Sequence, residues 1–209
     1  MKIDLELDTR SKLLKAAVKV FSKEGFAGAS VRQIADMAGV NHGSIKYHYS
    51  SKEHLWRSAI AYLFGEMERV VFAGQDKWDQ MTPHEQMRDH ISSYVRFNAT
   101  HPELVRMIMF ESIVQNERFE WLADNYLRPF SDRAINRTAL AQEQGVYRSD
   151  IPPLNLYYMN VAASRTMFFA APELQKQFGI DVFAEEEIER HIDALISLFV
   201  TAENEKVEQ

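Results

Sequence analysis

The stretch Ser30 to Leu55, SVRQIADMAGVNHGSIKYHYSSKEHL, decides how the rest of the chain is read. Ser30 is a helix-capping residue, and Gln33 three positions later completes a capping-box pattern. Val31, Ile34, Ala35 and Ala38 follow at i, i+3, i+4 and i+7, which puts one apolar face on two helical turns. Gly39 comes next, where a left-handed residue ends a helix at least cost. Val40 pins the turn, and Asn41 is a cap for a second helix expected to begin at His42. Short helix, glycine turn and short helix make a helix-turn-helix. The second helix opens on His42, Gly43 and Ser44, none of them large and apolar, and an interior Gly costs about 1 kcal/mol relative to Ala. A helix made to fill a core is not written this way. Small residues on an exposed first turn let the backbone approach another surface, and in a helix-turn-helix that surface is the DNA major groove. Ile45 and Tyr49 are expected to face inward, leaving Lys46, Tyr47 and His48 for the groove or its phosphate walls. Ser51 caps a further helix with Lys52 at its first position, where free backbone N–H groups and positive charge together suit a phosphate.

Helix, glycine, helix is common in proteins that never meet DNA, so the order of residues matters. From Thr9 to Arg57 the run resembles the DNA-binding domain of the TetR family of bacterial repressors. That family's pattern is a first helix ending in F-x-x-x-G-F, then T/S-x-x-x-I-A-x-x-A-G-V-S-x-G-T-L-Y-x-Y/H-F-x-S-K-E-x-L. Here it reads Phe21 to Phe26, then Ser30, Ile34, Ala35, Ala38, Gly39, Val40, Gly43, Ser44, Ile45, His48, Tyr49, Ser51, Lys52, Glu53 and Leu55. Asn41 stands in place of the usual Ser, Tyr49 in place of Phe, and Lys46 where an aromatic is commonest. The resemblance implies a ligand-responsive, homodimeric transcriptional regulator, most often a repressor, that binds double-stranded operator DNA. It implies phosphate contacts from Ser30, Tyr47 and Lys52, with Arg32, Asn41 and His48 beside them, and base-edge readout by His42, Gly43, Ser44 and Lys46. It also implies that the helix from Ser51 transmits effector binding.

The net charge of −6 is at odds with DNA binding until it is divided along the chain. Thr9 to Arg57 holds nine Lys and Arg against three Asp and Glu, a local +6, which leaves −12 elsewhere. The basic charge coincides with the motif. Without cysteine there are no disulfides, thiolate metal sites or cysteine nucleophiles. Met1 to Asp8 lacks the pattern of a secretory signal, no apolar run has membrane-spanning length, and the expected location is the cytoplasm.

The fold expected is all-α: an extension over 1–8, a three-helix DNA-binding domain over 9–57, a larger helical ligand-binding and dimerisation domain over 58–202, and a charged tail over 203–209. Thr9 is expected to cap the first helix and Gly25 to end it. The helix from Ser51 should run to about Ala73, with a polar connection from Gly74 to Thr82. Thr82 with Pro83 opens a helix to about Thr100, and Pro102 opens another to Val114. A longer stretch from Glu117 to Gln144 carries Pro129 as a kink. Leu154 to Ala170 and Glu185 to Thr201 follow, with Pro172 to Phe178 between them, and the resemblance assigns the two longer helices to a dimer interface.

No catalytic motif is present, and no histidine has the Glu three residues earlier that di-iron bundles use. Glu187 and His191 share a face and read as a surface ion pair rather than a metal site. No cofactor is expected. An apolar effector pocket in the second domain would draw on Tyr94, Phe97, Met107, Phe110, Glu111, Trp121, Tyr126, Arg165 and Phe168, each of which could equally be core. Arg165 and Glu111 project from apolar faces and need partners: each other, other residues, or a ligand. A ligand-independent DNA-architectural protein and a small-molecule carrier or enzyme on a helical bundle are the competing readings.

Overall fold

The computed structural model describes residues 2–72 and 75–202, with side chains from 8 to 72 and from 78 to 202. The charged tail over 203–209 and parts of the 73–82 connection lie outside the described residues. Eleven helices are described: α1 Lys2–Gly28, α2 Val31–Ala38, α3 Gly43–Tyr49, α4 Lys52–Val71, α5 Pro83–Thr100, α6 Pro102–Val114, α7 Glu117–Leu122, α8 Arg128–Glu143, α9 Pro153–Phe169, α10 Ala171–Phe178 and α11 Glu185–Phe199. Among the described residues the one β-like feature is a single bridge between Tyr147 and Val200.

The chain divides into two compact units. One holds residues 1–66 and 103–120, the other 67–102 and 121–209. The division does not follow the boundary expected near residue 57, because α6 and α7 pack with the N-terminal helices.

In the first unit, α1 runs through Thr9 instead of starting there. Nothing in Lys2–Asp8 breaks a helix, and Lys12 pairs with Asp8 at 2.6 Å one turn away, which supports the continuation. Gly25 does break the helical path, at φ 67°. Leu13, Ala17, Phe21, Ile34, Ile45, Leu55 and Trp56 form the core. Phe26 stacks on Phe21 at 6.0 Å and meets Trp56 edge-on at 6.4 Å.

In the second unit α5, α8, α9 and α11 pack together. The apolar stripe of α11 (Ile188, Ile192, Leu195, Ile196 and Phe199) is wholly buried, meeting Ile91, Val95, Leu156 and Phe168. Thr82 and Glu85 form a complete capping box on α5. Arg96 of α5 pairs with Glu185, at 2.7 Å, and with Glu189 of α11. The kink expected at Pro129 takes the form of a widened turn over Ala123–Leu127, in which the Arg128 N–H donates to the Ala123 carbonyl. Proline has no N–H for the carbonyl four residues back, and the wider turn moves the chain past that gap.

Candidate nucleic-acid interface and effector cavity

Helix α2 is capped by Ser30, whose Oγ accepts from the Gln33 N–H at 3.0 Å. It ends at Gly39, φ 66°, where the N–H groups of Gly39 and Val40 return to the Asp36 and Ala35 carbonyls. Helix α3 starts at Gly43, one residue later than expected. Asn41 still serves the turn, its Oδ1 accepting from the Gly43 N–H at 2.8 Å, while His42 occupies the cap position without a side-chain bond. The delay arises because an Asn side chain two residues ahead of an N–H closes a local ring that competes with the cap geometry.

Ile45 and Tyr49 anchor α3 from below, 3% and 1% exposed, and the Tyr49 hydroxyl donates to the Arg10 carbonyl at 2.8 Å. Burial pushes the Tyr49 phenol above its usual range. On the other side Asn41, His42, Gly43, Lys46 and Tyr47 are exposed, and Ser44 and His48 half-buried. Ser30 and Arg32 lie exposed at the start of α2, where Arg32 and His42 both come within 4 Å of Asp36. Ser51 caps α4, its Oγ accepting from the His54 N–H at 3.0 Å. Lys52 is half-buried with Nζ 4.5 Å from the centre of the Phe26 ring. Burial and the nearby Arg118 guanidinium lower its pKa.

The expected effector residues are not brought together. Tyr94 lines a cleft in the second unit. Phe97 is buried against His101, and Phe168 fills the core beside Phe183 and His191. Trp121 packs edge-on to Tyr126 at 5.5 Å, away from the cavity walls. Met107, Phe110 and Glu111 belong to the first unit: Met107 is in its core, and Phe110 lies where a Gly25 side chain would stand. Glu111, 2% exposed, is matched by Arg118, whose Nε donates to it at 3.3 Å and whose guanidinium lies 3.9 Å from the Phe26 ring centre. Arg165 is half-buried within electrostatic reach of Tyr94 and Tyr157 and stands outside the walls of the three spaces described next. Glu187 and His191 do not pair with each other. Glu187 bonds Arg190 at 2.5 Å, and the His191 ring meets the Ala163 carbonyl at 3.1 Å.

The second unit instead forms a half-open cavity of about 440 Å³ walled by Glu68, Phe72, His90, Phe130, Arg133 and Arg137. A narrow apolar cleft past Tyr94, Leu156, Tyr157 and Val161 and a further space of about 190 Å³ beside Trp78 share His90 and Arg137 with it. Of these wall residues, Arg137 alone comes near the rule that singled out Arg165: Ala134, Leu140 and Ala141 are three of its four helical neighbours, and the fourth is Arg133. His90 has Gln86 and Ser93 among its neighbours, and Arg133 has Asn136 and Arg137, so neither stands on an apolar face.

The same unit leaves Tyr158, Met159 and Phe169 of α9 and Leu198 of α11 exposed. Among the described residues no helix is long and apolar enough to cross a membrane, and no group of three or more His, Cys, Asp or Glu is placed to hold a metal ion.

Residues 13–59 match the model of the bacterial regulatory proteins of the tetR family, and residues 83–198 that of the tetracyclin repressor-like C-terminal domain. The chain belongs to the TetR family. The HTH-type transcriptional repressor NicS of Pseudomonas putida is 31% identical over 155 residues, covering 72% of this chain and 71% of that protein. The repressor KstR2 of Rhodococcus jostii is 29% identical over 147 residues, 68% and 69% of the two chains. In fold, KstR2 of Mycobacterium tuberculosis superposes with a TM-score of 0.70 at 18% identity, over 92% of this chain and 95% of that one. AibR in complex with isovaleryl coenzyme A and operator DNA gives 0.70 at 16% identity, over 91% and 97%. This TetR-family chain is a DNA-binding transcriptional regulator.

Proposed function

We propose that α3 of this TetR-family repressor lies in the major groove, with His42, Gly43, Ser44 and Lys46 at base edges and Ser30, Arg32, Tyr47, His48 and Lys52 along the phosphates. Asn41 holds the turn between the two sets. The observation that carries this reading is the two-sidedness of α3. Ile45 and Tyr49 fix it in the core, while its first turn and Lys46 and Tyr47 are exposed. Gly43 has no left-handed φ to accommodate; its small size spares a side chain 3.3 Å from Asn41 Oδ1 and leaves the exposed backbone open to close approach. The chain does no chemistry on its ligand. It works in the cytoplasm, where α9 and α11 join two copies and a small molecule in the second unit's cavity weakens the grip on DNA.

Fluorescence anisotropy with labelled DNA flanking the protein's own gene tests the assignment. Tyr47→Ala should weaken binding about tenfold on every sequence, and Lys46→Ala should lower affinity for the operator more than for unrelated DNA. If both variants, folded by circular dichroism, bind operator as the parent does, α3 is not the reading helix. Equal affinity of the parent for all sequences would mark an architectural protein.

A further inference from the structure

Arg137 of the second unit has a guanidinium with no acidic partner among the cavity walls. Its guanidinium is covered by aromatic rings, 4.6 Å from the Trp78 ring centre and 5.3 Å from that of Phe72. Trp78 is itself fixed, its indole N–H donating to Asp89 at 3.1 Å and its carbonyl accepting from Gln86 at 2.8 Å. Rings over a guanidinium satisfy its faces and leave its N–H edge, which is the edge that binds a carboxylate. Nη1 on that edge is buried with no hydrogen-bond partner among the described residues, and so is Nδ1 of His90. Both residues wall all three of the adjoining spaces. Two orphaned polar atoms at one junction are costly unless something else fills them.

The charges around the main cavity set the sign of that partner. Glu68 is already engaged by Arg133 at 2.7 Å, which leaves Arg137 as the uncompensated charge, a single positive one. From this junction the cleft past Tyr94, Leu156, Tyr157 and Val161 has room for only about 40 Å³ and also carries Thr138 and Asn160, whereas the cavity of about 440 Å³ offers the apolar surface of Phe72, Phe130 and Ala134. We infer that the effector is a small organic monocarboxylate, its carboxylate held edge-on by Arg137 beside His90 and its apolar body lying in the larger cavity against Phe72 and Phe130. The inference rests on the repressor reading above and adds to it the chemistry of the ligand. A neutral ligand of the same shape would leave the guanidinium edge unmatched.

The test uses the full chain and four probe acids, benzoate, phenylacetate, hexanoate and octanoate, each set against its primary amide. At about a hundred times its Kd, a bound acid raises Tm by ~5–10 °C, and its amide should not. Arg137→Gln should abolish the shift, and Arg137→Lys, which keeps the charge but loses the fork, should reduce it. An acid that shifts the parent should also release labelled operator from the parent and not from Arg137→Gln. The inference is overturned if acid and amide protect equally, if Arg137→Gln and Arg137→Lys keep the full shift, or if none of the four acids protects. Operator binding by the ligand-free parent is read in the same experiment. Its failure would strike the repressor reading, whereas intact binding with no acid response strikes the carboxylate alone.

Discussion

The buried Glu111 shows what the neighbours of one side chain leave undecided. Its helical surroundings are apolar, so the sequence signals a charge in need of a partner, but not which one. The partner is Arg118, seven residues on, placed over Phe26. Arg118→Ala leaves that carboxylate buried and unpaired and removes the cover from Phe26, so it should destabilise by about 3–5 kcal/mol in urea melts. Adding Glu111→Gln to the same chain should recover part of the loss. His90 gives a pH signature. Burial, with the Arg137 charge adding to it, lowers its pKa to about 4. The unfolded chain takes up that proton near pH 6.5 and the folded chain only near 4, so the fold loses stability as pH falls through this interval and is unaffected by this group above it. The loss amounts to about 3 kcal/mol by pH 4. His90→Gln should flatten that part of the stability curve, read from urea melts at pH 7, 5.5 and 4.5.

At the scale of elements, two glycines carry opposite instructions. Gly39 ends α2 at φ 66° with nothing near its missing side chain, so Gly39→Ala meets backbone strain alone and should cost about 1 kcal/mol. Gly65 sits inside α4, exposed, with ordinary φ and equally open space, so Gly65→Ala should stabilise by about 1 kcal/mol. Thermal melts of the two variants should move in opposite directions. Caps, glycine stops and prolines at first turns were legible because each acts within four residues of itself: Ser30, Gly39, Ser51, Thr82 with Pro83, and Gly179 all do in the structure what their local chemistry dictates. Helix α1 starts ahead of Thr9 because Thr9 is a good cap that nothing obliges to act as one. Lys2–Asp8 contains no breaker, and helix propagates through it.

At the scale of the whole chain, charge is sorted by segment. The +6 of residues 9–57 lies in the unit that presents α3, while α9 and α11 of the other unit expose large apolar side chains. Apolar surface left exposed on these two helices is the natural seat of the twofold contact in the dimer we propose. Leu198→Glu combined with Phe169→Asp should give a folded monomer by light scattering, with operator affinity reduced at least tenfold because the second half-site grip is lost. A dimer of unchanged affinity would move the interface elsewhere.

The sequence by itself determined the helical class, the helix-turn-helix with its inward and outward faces, and the family, since these rest on periodicity, capping chemistry and a contiguous run of residues. Only the tertiary structure decided which charged and aromatic residues share a space. Met107, Phe110 and Glu111 went to the first unit with α6, and His90, Arg133 and Arg137, more than forty residues apart along the chain at their extremes, came to one cavity. A helical face tells whether a side chain points into protein. The element it meets there depends on how distant helices pack, and no short-range pattern encodes that.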